Sequence, residues 1–240
     1  MAVVEWKKDG TVAIITMNEP ENRHNPSFAS GMLQALDEIE ADAEIKSIVL
    51  ASSDKKNWSL GIDLNWMMDR MGKNDTQAIK EFMYLLNKLF KRILTIPMPV
   101  IAAVNGHAFG DGAILVCTCD FRFMRSDRGF FCFPEVDINI PFLPGMLAQM
   151  RKAFPHWKLE EMVYSGKRAG GKELEECHMV VKACEGEEAL MNEAIAYART
   201  FTKGRKILYE HKWRLNKHIV EIIDKEDPAY IEPLNLMIFE

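Results

Sequence analysis

Hydrophobic positions along the chain recur at two periods, one of strands and one of helices. Val3 to Trp6 and Val12 to Met17 are short apolar runs separated by Asp9-Gly10, the pattern of two strands joined in a hairpin. From Phe28 to Ala41 the apolar residues Met32, Leu33, Leu36 and Ile39 return near helical spacing with acids on the other side, which predicts a surface helix. Ile48 to Ala51 and Val100 to Val104 are continuous apolar runs too short for helices, so each predicts a buried strand. Between them Leu64 to Ile96 reads as helix with a polar break at GKNDTQ, ended by Pro97 and Pro99. Ala113 to Cys117 predicts a buried helix terminated at Asp120, and Phe121 to Met124 another strand. Downstream, LPGMLAQMRKAF and HWKLEEMVYS predict packed helices, the sheet-rich part ends with the segment GKRAGGKELEECHMV, and Ala189 to Thr202 and Ile207 to Ile223 predict two closing helices. Strands alternating with helices make this an α/β chain.

Composition narrows the class. With 240 residues, 48% of them hydrophobic, the chain can bury one large core, or a main domain with a small appendage. A net charge of −5 and no basic stripe argue against a nucleic-acid partner. Cys117, Cys119, Cys132, Cys177 and Cys184 are odd in number and lack CxxC spacing, which predicts reduced, buried thiols in a cytoplasmic compartment. Six scattered histidines form no HExxH, so no metal is expected. The N-terminal stretch lacks a signal core, and no apolar run approaches the roughly 20 residues of a membrane helix, so no membrane insertion is expected.

The chemistry concentrates between Pro99 and Pro141. There the strand at Val100 to Val104 feeds a helix through Gly106, Gly110 and Gly112. A helix N-terminus reached in this way offers unpaired N–H groups and the positive end of the macrodipole, suited to a phosphate, a carboxylate or a developing oxyanion. Glycines before a helix commonly serve turn geometry alone, and an acid after a proline is commonly solvated. Here FFCFPEV sets one acid, Glu135, among apolar residues, so a base and an anion site occur together, as carbon-acid chemistry requires.

These residues resemble the crotonase superfamily of enoyl-CoA hydratases and isomerases over nearly the whole chain. Asn105-Gly106-His107-Ala108-Phe109-Gly110-Asp111-Gly112 is similar to the family motif NGxAxGGG, and Gly61-Ile62-Asp63-Leu64 to its GAD motif after a strand. The resemblance implies a crotonase-like (ClpP/crotonase) spiral of ββα units over 1–165 and a C-terminal helical region over 166–240 that covers the site and joins subunits, as a homotrimer or dimer of trimers. It implies an acyl-CoA thioester as substrate, with coenzyme A part of that substrate and no separate cofactor. The peptide N–H groups of Ile62 and Asp111 would form an oxyanion hole, and Glu135 would be the acid/base. Leu60, Gly61, Asp63, Leu64 and Gly110 would line the substrate, with Arg23 a candidate CoA-phosphate contact. Lys203, Arg205 and Lys206 form a second basic cluster that could reach such a phosphate. Trp66, Met67, Met68, Phe82 and Met83 would lie near the acyl tail or simply form helical core.

Two departures bear on the reaction. Family hydratases carry a second glutamate where this chain has Ile114, and the oxyanion position held by Asp111 is usually glycine. Hydration is helped by paired acids that place a water, whereas moving a double bond needs one base. The expected activity is therefore a 3-enoyl-CoA to 2-enoyl-CoA isomerase of fatty acid metabolism. The alternatives are a hydratase or related lyase using Asp137 or a distant acid, and a non-catalytic acyl-CoA-binding or RNA-binding member. The Asp111 side chain is expected to turn away from the oxyanion or stay neutral, because like charges repel, or simply to complement the helix N-terminus.

Overall fold

The structure, a computed structural model, describes residues 2–238. The N-terminal hairpin pairs β1 (Val4–Asp9) and β2 (Val12–Met17) antiparallel through a Gly10 turn. A 3₁₀ turn, Pro20–Asn22, precedes α1 (Pro26–Ala41), whose first N–H groups are capped by the Asn25 side chain accepting from Phe28 N. The chain then winds through three similar turns. The first is β3 (Ser47–Ser52), β4 (Asn57–Ser59) and α2 (Leu64–Gly72), followed by the long α3 (Thr76–Thr95). The second is β5 (Val100–Val104), β6 (His107–Phe109) and α4 (Asp111–Thr118). The third is β7 (Phe121–Arg125) and β8 (Phe131–Cys132), closed by a 3₁₀ turn, Pro134–Ile138.

Each turn of this spiral gives one strand to each of two sheets. The larger has the order β1-β2-β3-β5-β7-β9, the last being Lys182–Cys184, and is parallel beyond the hairpin; the smaller is the parallel set β4-β6-β8. Strand residues alternate between faces, which explains why the central strands are apolar throughout. Ile48, Leu50, Val100 and Ala102 face the main core with α1 and α3, while Val49, Ile101 and Phe123 face the opposite side. That second face is covered by Leu190, Ala194 and Ala198 of α8 (Gly186–Arg199).

The expected end of the sheet-rich part before the last helices is therefore corrected. After α5 (Pro144–Ala153), α6 (His156–Ser165) and α7 (Gly171–Glu176), β9 (Lys182–Cys184) returns to the edge of the larger sheet beside β7. Residues 166–240 thus contribute a strand and one helical layer to the core rather than helices alone. The stretch after Ser52 and the glycine-rich turn after Gly106 also contain strands, β4 and β6.

Two later helices tie the spiral together. In α9 (Arg205–Lys225) the Lys212 ammonium donates to the carbonyls of Ile93 and Met98 and to Asp120, whose carboxylate also accepts from Val100 N. Asp227, fully buried at the start of α10 (Pro228–Ile231), accepts from Gly145 N at 2.8 Å and from Asn87 at 3.1 Å, linking α3, α5 and α10. Burial pushes its carboxyl up to about 6, against the pull of those donors. All five cysteines are buried and unpaired, and desolvation raises the Cys117 and Cys119 thiols to about 12. Among the described residues no helix is long and apolar enough to cross a membrane.

Candidate active site

Two strand-to-helix turns interlock at one end of a cavity. In the first, Leu60-Gly61-Ile62 leaves β4, and Asp63 caps α2 by accepting from Trp66 N at 3.0 Å. His24 N donates to Gly61 O at 2.8 Å and Asp63 N donates to His24 O at 2.9 Å, a parallel bridge between His24 and Ile62. In such a bridge the N–H of Ile62 points away from the partner strand. In the second turn Gly110, at φ +56°, delivers the chain from β6 into α4, so that Asp111 N–H is a first-turn donor without an intrahelical acceptor. Among the hydrogen bonds of the described residues neither N–H has an acceptor. The close approach of the turns depends on Gly61, at φ +74°. A Cβ there would sit 2.7 Å from Asp111 N and 2.8 Å from Phe109 O.

The cavity, about 410 Å³, contains both turns, Glu135 and Ile114 in its lining. Glu135 lies on the 3₁₀ turn after β8 and is 8% exposed. Its Oε2 is buried with no hydrogen-bond partner, and Oε1 lies near Gly110, 3.2 Å from where a Cβ would be. Desolvation pushes the carboxyl up to about 8, against the pull of its own backbone N–H. A carboxylate so raised, with one oxygen free of donors, is a competent proton acceptor. Asp137, two residues on, is exposed and lies against Gly166 outside the cavity, so it does not replace the missing second acid. The 3₁₀ turn, not a strand, is what sends the two acids to different sides.

The expected residues divide clearly. Arg23, Leu60, Ile62, Leu64, Gly110 and Asp111 line the cavity, while Gly61 packs behind its turn and Asp63 is committed to the cap. Arg23 is partly held by Leu60 O at 3.0 Å and Glu21 at 3.0 Å. Arg205 spends its guanidinium on the carbonyls of Glu40 and Ile45 and braces α1 instead of facing the site. Met67, Met68 and Met83 reach the cavity; Trp66 and Phe82 do not, and pack edge to face at 5.0 Å. Sequence reasoning missed Met71 and Ile79, and also Leu234, Leu236 and Met237 of the C-terminal tail, which complete the apolar wall. It also missed His24, whose Nδ1 lies 2.6 Å from Asp111 Oδ2 and turns that carboxylate aside from the amide it shares a residue with.

A spiral of paired strands with two amide-bearing turns over one buried acid defines the comparison to make. The sequence matches the enoyl-CoA hydratase/isomerase family model over residues 7–232. The chain belongs to the enoyl-CoA hydratase/isomerase family. It is 30% identical to a short-chain-enoyl-CoA hydratase of Clostridium acetobutylicum, over 78% of this chain and 70% of that protein. It is 28% identical to enoyl-CoA delta isomerase 3 of Arabidopsis thaliana, over 70% of this chain and 71% of that one. The solved structure of an enoyl-CoA hydratase/isomerase family protein from Pseudomonas syringae shares the fold, with a TM-score of 0.86 at 20% identity over 96% of this chain and 97% of that one. The crotonase-like architecture expected from the NGHAFGDG and GIDL segments is thus present. Relatives named as hydratases and as isomerases stand at similar distance, so the choice between reactions falls to the residues of this site.

Proposed function

We propose that this family member is an enoyl-CoA isomerase that moves a double bond from C3 to C2 of an acyl-CoA thioester. The observation that carries the reading is the count of available acids in the cavity. Arg23, Asp111 and Glu135 are the charged residues of its lining among the described residues, Asp111 is engaged by His24, and Ile114 is apolar. One unpartnered carboxylate remains, and an isomerisation asks for one. Glu135 takes a C2 proton, and the electrons move onto the thioester oxygen, which the N–H groups of Ile62 and Asp111 stabilise as an oxyanion hole. The protonated Glu135 then returns the proton to C4 as the enolate collapses to the conjugated thioester. Proton and charge balance without water or a redox partner. The methionines of α2 and α3 supply an adaptable apolar wall for the acyl tail.

The test is incubation of the purified protein with 3-enoyl-CoA, 2-enoyl-CoA and 3-hydroxyacyl-CoA panels, with products identified by mass and double-bond position. A positional shift without gain of water is expected. A hydroxyacyl product formed at a comparable rate would select a hydratase, and tight thioester binding without turnover would select a non-catalytic role.

A further inference from the structure

Asp111 is an unusual residue to find where an anion is to be stabilised, and the atoms around it restrict where the protons are. Its Oδ2 meets His24 Nδ1 at 2.6 Å, and Oδ1 is buried without a partner. Both side chains are sealed from solvent, and the His24 ring stacks on Phe28 of α1 at 4.3 Å. On its other edge His24 Nε2 lies 3.0 Å from Ser59 Oγ at the end of β4. Ser59 has one proton to give, and the Asn22 carbonyl at 2.8 Å, which can only accept, takes it. Gly61 N–H donates to Ser59 Oγ at 3.2 Å. With its proton committed to Asn22, Ser59 is an acceptor toward His24, so Nε2 carries a hydrogen. The short contact at Nδ1 then needs one more proton, on the ring or on the carboxyl.

We propose that His24 is a positioning residue that shares this proton with Asp111, so that the side chain under the second turn carries no net charge while its own amide receives the enolate. The proposal rests on the isomerase reading for its purpose but not for its proton count. The alternative arrangement, Ser59 donating to Nε2 and Nδ1–H donating to a bare carboxylate, leaves a net negative charge beside the N–H that must attract an oxyanion and beside Glu135, which must ionise. The groups facing the pair are few. Glu135 comes from the 3₁₀ turn after β8 and Arg23 from the loop before α1. Ser59 and the Gly61 amide come from the β4 turn, Phe28 from α1 adds no charge, and Asp63 is held by the α2 cap and by Asn25 at 3.5 Å.

The proton count is read on the unmodified protein by ¹⁵N NMR with labelled histidine, His24 being assigned through its contacts with Phe28 and Ser59. A protonated Nε2 is expected; a bare Nε2 with the hydrogen on Nδ1 overturns the proposal whatever reaction the enzyme catalyses. The purpose is read by kinetics. His24→Gln should lower kcat by about 10–100-fold and move the rising limb of kcat/KM to higher pH, as an uncompensated Asp111 opposes ionisation of Glu135. Adding Asp111→Asn to that variant should recover about 10-fold and return the limb. A loss that Asp111→Asn does not recover, with the limb unmoved, would make His24 a packing residue and overturn the proposal.

Discussion

Two buried carboxylates, Glu135 at the cavity and Asp227 in the helical layer, keep different company. Asp227 meets an amide N–H and an Asn87 side chain, and settles at about 6. Glu135 has an Oε2 with no donor at all and settles at about 8. Donors around a buried acid make a strut, and their absence makes a base, because hydrogen bonds to the charged form favour it whereas burial alone opposes it. The difference is supplied by backbone geometry. Gly145 N–H is one of the free donors at the start of α5 and reaches Asp227, while the N–H groups of Ile62 and Asp111, which line the same cavity as Glu135, have no acceptor among the described residues.

The largest test of this contrast is Glu135→Gln, which should lower kcat by about 10²–10⁴-fold with little change in thioester affinity. Asp227→Asn should leave kcat within a few-fold. Near-normal turnover in the Gln variant would remove Glu135 from the chemistry and the contrast with it. Asp111→Pro comes next. Loss of that N–H should cost about 10²–10³-fold in kcat, with circular dichroism and thermal melting checking that α4 still forms.

Stability separates the two acids by pH. Each has a folded value above its unfolded one, so the folded state binds more protons between the two values and stability falls as pH rises through that window. The window runs from 4.5 to about 8 for Glu135 and from 3.8 to about 6 for Asp227. Urea midpoints of Glu135→Gln and wild type should therefore agree best near pH 4 and diverge by pH 8, where the variant gains on the order of 4 kcal/mol. Equal midpoints at pH 8 would mean that Glu135 finds a donor in solution. Asp227→Ala, which strands the Gly145 N–H and the Asn87 amide, should instead cost about 1–3 kcal/mol at neutral pH. The smallest effect is on the rate profile of the native enzyme: kcat/KM should rise with pH toward a plateau above about 8, the form in which Glu135 is ionised. A limb well below that value would show that the free enzyme holds its base differently.

The sequence made the long-period elements legible, and the reason is visible in α1, α3, β3 and β5, where burial of one stripe or of both strand faces dictates the apolar spacing. The strands β4, β6, β8 and β9, of two or three residues each, are too short to impose a period. They exist because their neighbours in the spiral present a free edge. In the site, Glu135 was legible as one acid in an apolar segment, and the two turns through their glycines. The role of His24 was not, since Ser59 and Asp111 lie 35 and 87 residues away and only the winding of the chain unites them. The cavity wall supplied by Leu234, Leu236 and Met237 was hidden for the same reason.

Two of the buried thiols turn the enzyme into its own timekeeper. Cys117 and Cys119 close the helix that Asp111 opens, and with thiols raised to about 12 and no exposed surface they should resist alkylating reagents while that helix is in place. Their modification reads how often the region around α4 opens rather than how fast a thiol reacts. If the first amide of the same helix holds a thioester, the ligand favours the closed state, so alkylation should slow as the unliganded fraction falls, and the site would report on its own filling without any turnover being measured.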